Sequence, residues 1–292
     1  MQKLKLPLKL LFICCMFVFN SCSKEIEMDI HSFERKVVVN TVFSPDNPFK
    51  FYFSYSVTPI ESYSKFTDSI HLFLYEDGKK VLDKIFLSDS LLTTYYPRSG
   101  CKYLLKMCVQ GYDTIFARDT IPQRLNIIDA TKQAVSVDQY KTEVCDLRIT
   151  FEDPVTEKNF YELYFKNQQY DWENEITDPV LLNEGDVGYY PDTYFFSDEM
   201  FNGTKYTMHI KRSAGFNTTT RVIIRNISRN YYLYRKIWTR HIYNQSGADR
   251  GVGNLIYMGE PIPMFNNIIN GFGVFASFNE NDPYTFRILN EN

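Results

Sequence analysis

Apolar and polar residues alternate through the first third of the chain. From residue 49 to 57, large apolar side chains recur at every second position, which places them on one face of a β-strand: Phe49, Phe51, Phe53, Tyr55 and Val57. Other segments have strand composition and are bounded by turn residues: Lys36–Val42, Ser69–Glu76, Val81–Phe86, Lys102–Val109 and Tyr112–Arg118. About seven short strands in roughly 85 residues predict a β-sandwich of immunoglobulin or transthyretin type over residues 35–122.

Residues 123–292 are predicted to form a second β-rich domain. Cys145 shares a strand face with Leu147, Ile149 and Phe151, so it is predicted to be a core residue. Further segments have strand character: Phe160–Lys166, Lys205–Arg212, Arg221–Ile227 and Gly271–Phe278. If the two domains are independent, limited proteolysis should cut near residues 121–129.

One amphipathic helix is predicted near residues 228–245. Ser228 is a suitable N-cap and Gly247 a suitable terminator. Aromatic residues recur between them at helical spacing, so we expect this stripe to pack across a sheet: Tyr231, Tyr234 and Trp238, followed by His241 and Ile242.

The first 21 residues have the pattern of an export signal. Three lysines precede an unbroken apolar run, Leu10–Phe19, which suits a signal-peptide core but is too short to span a bilayer comfortably. The run is followed by Ser21-Cys22, which resembles the lipobox of bacterial lipoproteins. We therefore expect cleavage after Ser21, a lipid on Cys22 that anchors the chain to the outer membrane, and a linker over residues 22–34.

Charge and cysteine content narrow the classes of partner. Loss of the three signal-peptide lysines from 32 basic residues leaves 29 against 35 acidic ones, a net charge of −6. An acidic chain without a basic block argues against nucleic acid as a partner. With Cys22 lipidated, Cys101, Cys108 and Cys145 can form at most one disulfide, which excludes a disulfide scaffold.

Four passages, in order, resemble a known family. They are Val37–Asn40, Phe196–Gly203, the tyrosine-rich helix from Ser228, and Gly259–Ala276 with its Asn-Ile-Ile-Asn-Gly-Phe-Gly core. This order is similar to that of Bacteroidetes lipoproteins classed as domain-of-unknown-function family 4249. The resemblance implies a surface or outer-membrane lipoprotein, often encoded beside a TonB-dependent receptor. It carries no catalytic residues or cofactor over to this chain.

Common catalytic templates fail on this sequence. The four histidines are scattered, and no HExxH, CxxC, G-x-S-x-G or Walker loop is present. One polar segment places carboxylates beside Trp172, Tyr189 and Tyr190, which are candidate contacts for a sugar or peptide ligand. A glycosidase carboxylate pair is the catalytic alternative, and aromatic packing under a long loop is the structural one. The glycines of the family signature, Gly271 and Gly273, are predicted to allow a bulge or a close backbone approach, with Phe272, Val274 and Phe278 filling the core.

These features together predict a non-enzymatic, cell-surface lipoprotein with no cofactor. Its expected role is to capture a glycan or peptide ligand for, or to bind, a TonB-dependent outer-membrane receptor. Two alternatives stay open from the sequence. One is a lipoprotein for adhesion or envelope assembly, and the other is a surface hydrolase of glycans or peptides.

Four Asp-Ser/Thr-aliphatic tripeptides resemble the O-glycosylation acceptor of Bacteroidetes exported proteins. Their hydroxyl residues are Ser69, Ser90, Thr114 and Thr120. We predict that one or more carry glycan, because their positions near strand ends allow a hydroxyl to face solvent. Intact-mass analysis of protein from its native host should show added hexose mass, and a mass without it would contradict this prediction.

Overall fold

A long mixed β-sheet runs through the fold, and two smaller sheets pack on it. The structure is a computed structural model that describes residues 34–58, 66–137, 142–155, 157–167, 173–185, 193–215, 219–246 and 262–287. Its strands are β1 (Val37–Phe43), β2 (Lys50–Tyr55), β3 (Ile70–Glu76), β4 (Lys79–Phe86), β5 (Ser90–Leu92), β6 (Lys102–Val109), β7 (Ile115–Thr120), β8 (Asn126–Val137), β9 (Thr142–Glu152), β10 (Phe160–Asn167), β11 (Glu173–Glu175), β12 (Thr193–Ser197), β13 (Lys205–Gly215), β14 (Thr219–Ile227), β15 (Phe272–Glu280) and β16 (Tyr284–Arg287). Its helices are α1 (Pro179–Asn183) and α2 (Arg229–Ser246).

The long sheet takes strands from both halves of the chain. Its order is β12-β10-β14-β15-β1-β2-β5, with β16 paired to β14. The smaller sheets have the orders β4-β3-β6-β7 and β11-β13-β9-β8, and their strands pair antiparallel. In the long sheet, β1 and β15 run parallel. Both smaller sheets pack on the same long sheet, which confirms the mostly β, sandwich-type prediction.

The first sandwich is closed by the β4-β3-β6-β7 sheet. The alternating residues Phe49, Phe51 and Phe53 are buried, as their period predicts. They share one core with leucines of β3 and β6. Strand β15 adds Phe275 to this core, with its ring centroid 4.7 Å from that of Phe43. The first sandwich therefore includes a strand from the far end of the chain.

The second sandwich is closed by the β11-β13-β9-β8 sheet. Cys145, Leu147, Ile149 and Phe151 of β9 are all buried, which confirms the predicted face. They pack in one cluster with residues of β10, β12 and β14. Cys145 is therefore a core residue, as predicted.

Between the two cores, the face of β15 becomes polar. Ser277 Oγ lies 2.9 Å from the Thr120 carbonyl oxygen and 2.8 Å from Asp119 Oδ2, and these two acceptors share its single hydroxyl hydrogen. Asn279 Nδ2 donates to the Pro122 carbonyl at 3.0 Å. Asn281 Nδ2, just past the strand, donates to the Leu125 carbonyl at 2.7 Å. Alternate residues thus hold the β7–β8 connection at three points. The predicted domain boundary at residues 122/123 lies inside this held segment, and residues 35–292 form one compact unit.

Gly273 allows β15 to lie against β1. Its φ is +119°, and a Cβ there would stand 2.0 Å from the Val39 carbonyl oxygen. The close backbone approach predicted for this glycine is therefore confirmed. Val274 is buried as predicted, but the prediction for Phe272 was wrong: its ring is 41 % exposed. The Phe272 side chain points away from the first core, and its ring centroid lies 5.8 Å from Lys36 Nζ.

Helix α2 covers the opposite face of the long sheet. Ser228 Oγ accepts from the Tyr231 amide at 3.1 Å, which confirms the predicted N-cap. Tyr231, Tyr232 and Tyr234 pack on apolar residues of β10, β12 and β15. The helix therefore crosses the sheet on its aromatic side, as expected, while Trp238 stays partly exposed. Gly247, the predicted terminator, lies outside the described residues.

A buried ion pair lies beneath α2. Arg225 Nη1 of β14 is 2.9 Å from Glu162 Oε2 of β10, and its guanidinium also contacts Glu280. The same guanidinium carbon lies 4.4 Å from the centroid of the Phe278 ring. Burial alone would lower the pKa of Arg225, but the two carboxylates raise it above its ordinary value. This network is fully paired and ties three strands together under the helix.

Gly273→Ala should destabilise the fold by about 3 kcal/mol or more, because the new Cβ collides with backbone that has no room to move. Gly78→Ala is a matched control: its φ is +83°, but nothing lies within 4 Å of the added atom. The free energy of unfolding of Gly78→Ala should therefore fall only by the cost of placing alanine in the left-handed conformation, about 1–2 kcal/mol. The measurement is the free energy of unfolding in a urea titration, and equal losses in both variants would contradict the steric argument.

Trypsin should leave the bond after Arg124 intact in the folded protein, because the flanking carbonyls are held by β15. Asn279→Ala removes the donor to Pro122 and should accelerate this cut. Asn202→Ala, at an exposed turn position, is the control and should not change the rate. Rapid cleavage of the unaltered protein at Arg124 would instead support two independent domains.

Candidate functional site

A cleft opens where the two sandwiches meet the start of α2. Its volume is about 630 Å³, within the roughly 300–1,000 Å³ typical of small-molecule sites. The walls come from β6 and β7, the loop before β10, the end of β14 and the first turn of α2. Most of the residues that line it have polar or charged side chains, among them Lys102, Arg118, Asp119, Lys158, Asn226 and Arg229.

Asp119 joins three elements at the base of this cleft. The side chain of Asp119 lies on the buried face of β7, in the same alternation as Ile115 and Ala117. Its Oδ1 accepts from Asn230 Nδ2 of α2 at 2.9 Å, and its Oδ2 accepts from Ser277 Oγ of β15 at 2.8 Å. Both oxygens are therefore used in holding the helix start to the two sandwich strands.

Burial raises the pKa of Asp119 to about 6, although the surrounding donors, including Ser228 and Ser277, partly oppose the shift. The carboxyl group therefore titrates well above the ordinary range for aspartate. Since its donors belong to α2 and β15, its ionisation affects the wall of the cleft as well as the stability of the fold.

The cleft carries positive charge in an acidic protein. Four basic residues and two acidic ones line it, while the whole chain has a net charge of −3. Lys158 pairs with Glu199 at 3.7 Å. Within the described part of the chain, Lys102, Arg118 and Arg229 have no carboxylate within ion-pair distance. Their charges are available to a ligand.

Asn226 supplies a buried acceptor in the cleft wall. It is opposite Asn279 in the β14–β15 register, so both side chains lie on the sheet face that holds the β7–β8 connection. Asn226 is only 3 % exposed, and its Oδ1 has no hydrogen-bond partner among the described residues. An unpaired buried acceptor is costly, so a donor from a bound ligand would stabilise this position.

Several residues singled out from the sequence lie outside the described ranges. These are the lipid-attachment residue Cys22 and the candidate ligand-binding aromatics Trp172, Tyr189 and Tyr190, and they remain predictions. Of the neighbouring carboxylates, Glu184 is paired with Lys236 at 2.8 Å and also contacts Tyr232. Burial would raise the pKa of Glu184, but these partners outweigh it and lower the pKa. Glu184 therefore has a structural ion-pair role.

The four candidate glycosylation residues lie in different surroundings. Ser69 and Thr120 are exposed, whereas Ser90 and Thr114 are half-buried. Thr120 also lines the cleft, so a glycan there would occupy part of its entrance. Cys101, Cys108 and Cys145 form no disulfide with one another.

The described ranges contain neither a metal-binding cluster nor a membrane-spanning helix. No group of three or more His, Cys, Asp or Glu side chains is placed to hold a metal ion there. Neither α1 nor α2 has the length and apolar character needed to cross a membrane.

This cleft is not recognisable in the sequence, because its residues are spread between positions 102 and 230. One signal was present. Asp119 occupies a position in β7 where the alternation calls for an apolar residue, and an inward-facing carboxylate in a strand marks either a polar contact or a site. The Asp-Thr-Ile tripeptide that contains Asp119 was interpreted only as a candidate glycosylation site at Thr120.

The family comparison covers most of the chain. A family model described as Domain of unknown function (DUF4249) matches residues 23–282. The match includes every residue that lines the cleft. No curated protein matches the chain.

Asp119→Asn should remove a pH dependence of stability. The folded-state pKa of about 6 is above the ordinary 3.8, so the folded protein binds this proton more tightly than the unfolded chain. Stability from this group is therefore present at low pH and is lost as pH rises through about 4 to 6, by about 3 kcal/mol in total.

The measurement is urea denaturation at pH 4, 5, 6 and 7. The free energy of unfolding of the wild type, minus that of Asp119→Asn, should decrease by about 2.4 kcal/mol over this range, since part of the total is already lost at pH 4. Asp282→Asn removes an exposed carboxyl group and is the control. A difference that stays constant, or grows with pH, would contradict the assignment.

Proposed function

Because the chain belongs to the family described as Domain of unknown function (DUF4249), we propose that it is a lipid-anchored outer-membrane lipoprotein that binds a small polar ligand for a TonB-dependent uptake system. In this proposal the protein captures the ligand without chemical conversion, and the receptor is its membrane partner. Residues of the cleft contact the ligand, and Cys22 provides the attachment.

The anchor is supported by the order of features at the N-terminus. Three lysines, a short apolar run and a Ser21-Cys22 pair stand directly before the point where the family match begins, at residue 23. The compact unit then begins at Arg35, so the segment from Cys22 to Glu34 can serve as a tether. Multiple acyl chains on one cysteine give stable attachment.

The cleft is the observation that carries the binding role. Among the described residues it combines the volume of a small-molecule site with three cations outside any ion pair and a buried acceptor without a hydrogen-bond partner. Its buried carboxylate, Asp119, already accepts hydrogen bonds on both oxygens from structural donors. A general acid or base must be free to exchange a proton with substrate. Because both Asp119 oxygens accept structural hydrogen bonds, a structural role in the wall of a binding site is favoured over a catalytic one.

Affinity capture tests the proposed partner. The tagged, lipidated protein is purified from its native outer membrane, and co-purifying proteins are identified by mass spectrometry. A TonB-dependent receptor in near-equal amount supports the uptake role. Recovery of the lipoprotein alone, or of filament and matrix components, contradicts it and favours adhesion or envelope assembly.

Cys22→Ala should abolish lipid attachment and release the protein from the membrane fraction. The thiol is the only group on this residue that can carry the acyl glyceride, and alanine leaves the apolar run intact. Metabolic labelling with radioactive palmitate measures the modification. Cys14→Ala and Cys15→Ala are matched controls, because both residues lie inside the apolar run and should keep full labelling. Palmitate retained in Cys22→Ala would overturn the assignment.

A further inference from the structure

We infer that the cleft binds an acidic saccharide, a sugar of one or two rings that carries a carboxylate or sulfate group. This inference rests on the proposed binding role and specifies the chemical class of the ligand. It follows from the charges at the mouth, the polar groups deeper in the wall and the size of the cleft.

The charges select an anion. Lys102, Arg118 and Arg229 are exposed at the cleft and have no carboxylate partner among the described residues. Arg229 is also the first residue of α2, an 18-residue helix. The first peptide N–H groups of a helix have no intrahelical acceptor, and the helix dipole adds positive potential there. Two arginines and a helix start therefore line one opening, and carboxylate and sulfate oxygens suit both kinds of donor.

The deeper wall selects a ligand that also donates hydrogen bonds. Asn226 Oδ1 is buried and has no hydrogen-bond donor in the part of the chain that the structure describes. A simple inorganic anion that satisfies the cations would leave this acceptor unpaired. A sugar hydroxyl can donate to Asn226 while the acidic group of the same molecule reaches the arginines. Asn159, Asn230, Ser228 and Thr120 add further amides and hydroxyls to the same lining.

The wall is held in place before any ligand binds. Asp119 fixes Asn230 at the helix start and Ser277 on β15, and the Arg118 carbonyl accepts a second hydrogen bond from Asn230 at 3.2 Å. The backbone that carries Arg118 is therefore tied to the helix turn that carries Arg229. A prearranged backbone wall loses little conformational entropy on binding, which favours a small, rigid ligand such as a sugar ring.

The test is isothermal titration calorimetry on the full-length lipidated protein in detergent. The acidic probes are digalacturonate and a sulfated chondroitin disaccharide. The comparison probes are the neutral disaccharide galactobiose, a triglutamate peptide and inorganic sulfate. We expect at least one acidic disaccharide to bind about ten-fold or more tightly than galactobiose, and its affinity to fall as ionic strength rises.

Two variants separate the two parts of the site. Arg118→Gln with Arg229→Gln should weaken binding of the acidic disaccharide about ten-fold or more. Lys79→Gln with Lys84→Gln removes the same charge from exposed positions of β4 and should leave affinity unchanged. Asn226→Ala should weaken binding of the acidic disaccharide and leave the weak binding of inorganic sulfate unchanged. Thermal unfolding by circular dichroism shows that each variant remains folded.

Three results would overturn the inference. They are the failure of every acidic saccharide to bind, equal or tighter binding of triglutamate, and equal losses in the arginine variant and the β4 lysine control. If such a result accompanies capture of a TonB-dependent receptor, the ligand class is wrong and the uptake role stands. If the saccharide binds but no receptor is captured, the ligand class stands and the uptake role is wrong.

Discussion

The parallel pairing of β1 with β15 is the contact on which both sandwiches depend. Strand β15 pairs with β1 on one side and with β14 on the other, so it joins strands from the two ends of the chain into one sheet. Only a glycine can occupy position 273, because the Val39 carbonyl fills the space of a side chain. Phe275 then completes one core, and the polar residues after it hold the connection between the sandwiches.

The cleft is a consequence of the same arrangement. Where β15 leaves the first core, its inward residues change from Phe275 to Ser277 and Asn279, and polar side chains line the seam. Asp119 accepts hydrogen bonds from Ser277 of β15 and Asn230 of α2, and so anchors the start of the helix to the strand. A polar seam between two apolar cores buries less apolar surface than a continuous core would, and two of its polar residues, Asp119 and Asn226, line the cleft. Binding surfaces commonly form at such junctions between packed units.

Local patterns in the sequence predicted local structure well. The alternation from Phe49 to Tyr55 and the cap at Ser228 depend on neighbouring residues only, and both were confirmed. The short strand β5 and the helix α1 were missed because three to five residues do not establish a period.

Contacts between residues far apart in the chain could not be predicted from one sequence. The partner of β1 is 234 residues away in the Asn40–Val274 contact, and no local pattern specifies it. The cleft was missed for the same reason. The exposure of Phe272 was also mispredicted, because the approach of the backbone at Gly273 decides its direction. Trp172, Tyr189 and Tyr190 remain candidates from composition alone.

The distance along the chain between β1 and β15 also has a kinetic consequence. Val38 pairs with Phe272, so the first strand is synthesised long before its parallel neighbour exists. Proteins dominated by such distant contacts fold slowly, because the entropy of closing a long loop is lost before the contact forms. During that interval one edge of β1 has unpaired peptide groups beside exposed phenylalanines, which is a template for association with other chains. We therefore expect the fold to be completed only when β15 is present, because a chain that ends before β15 lacks the strand that protects β1.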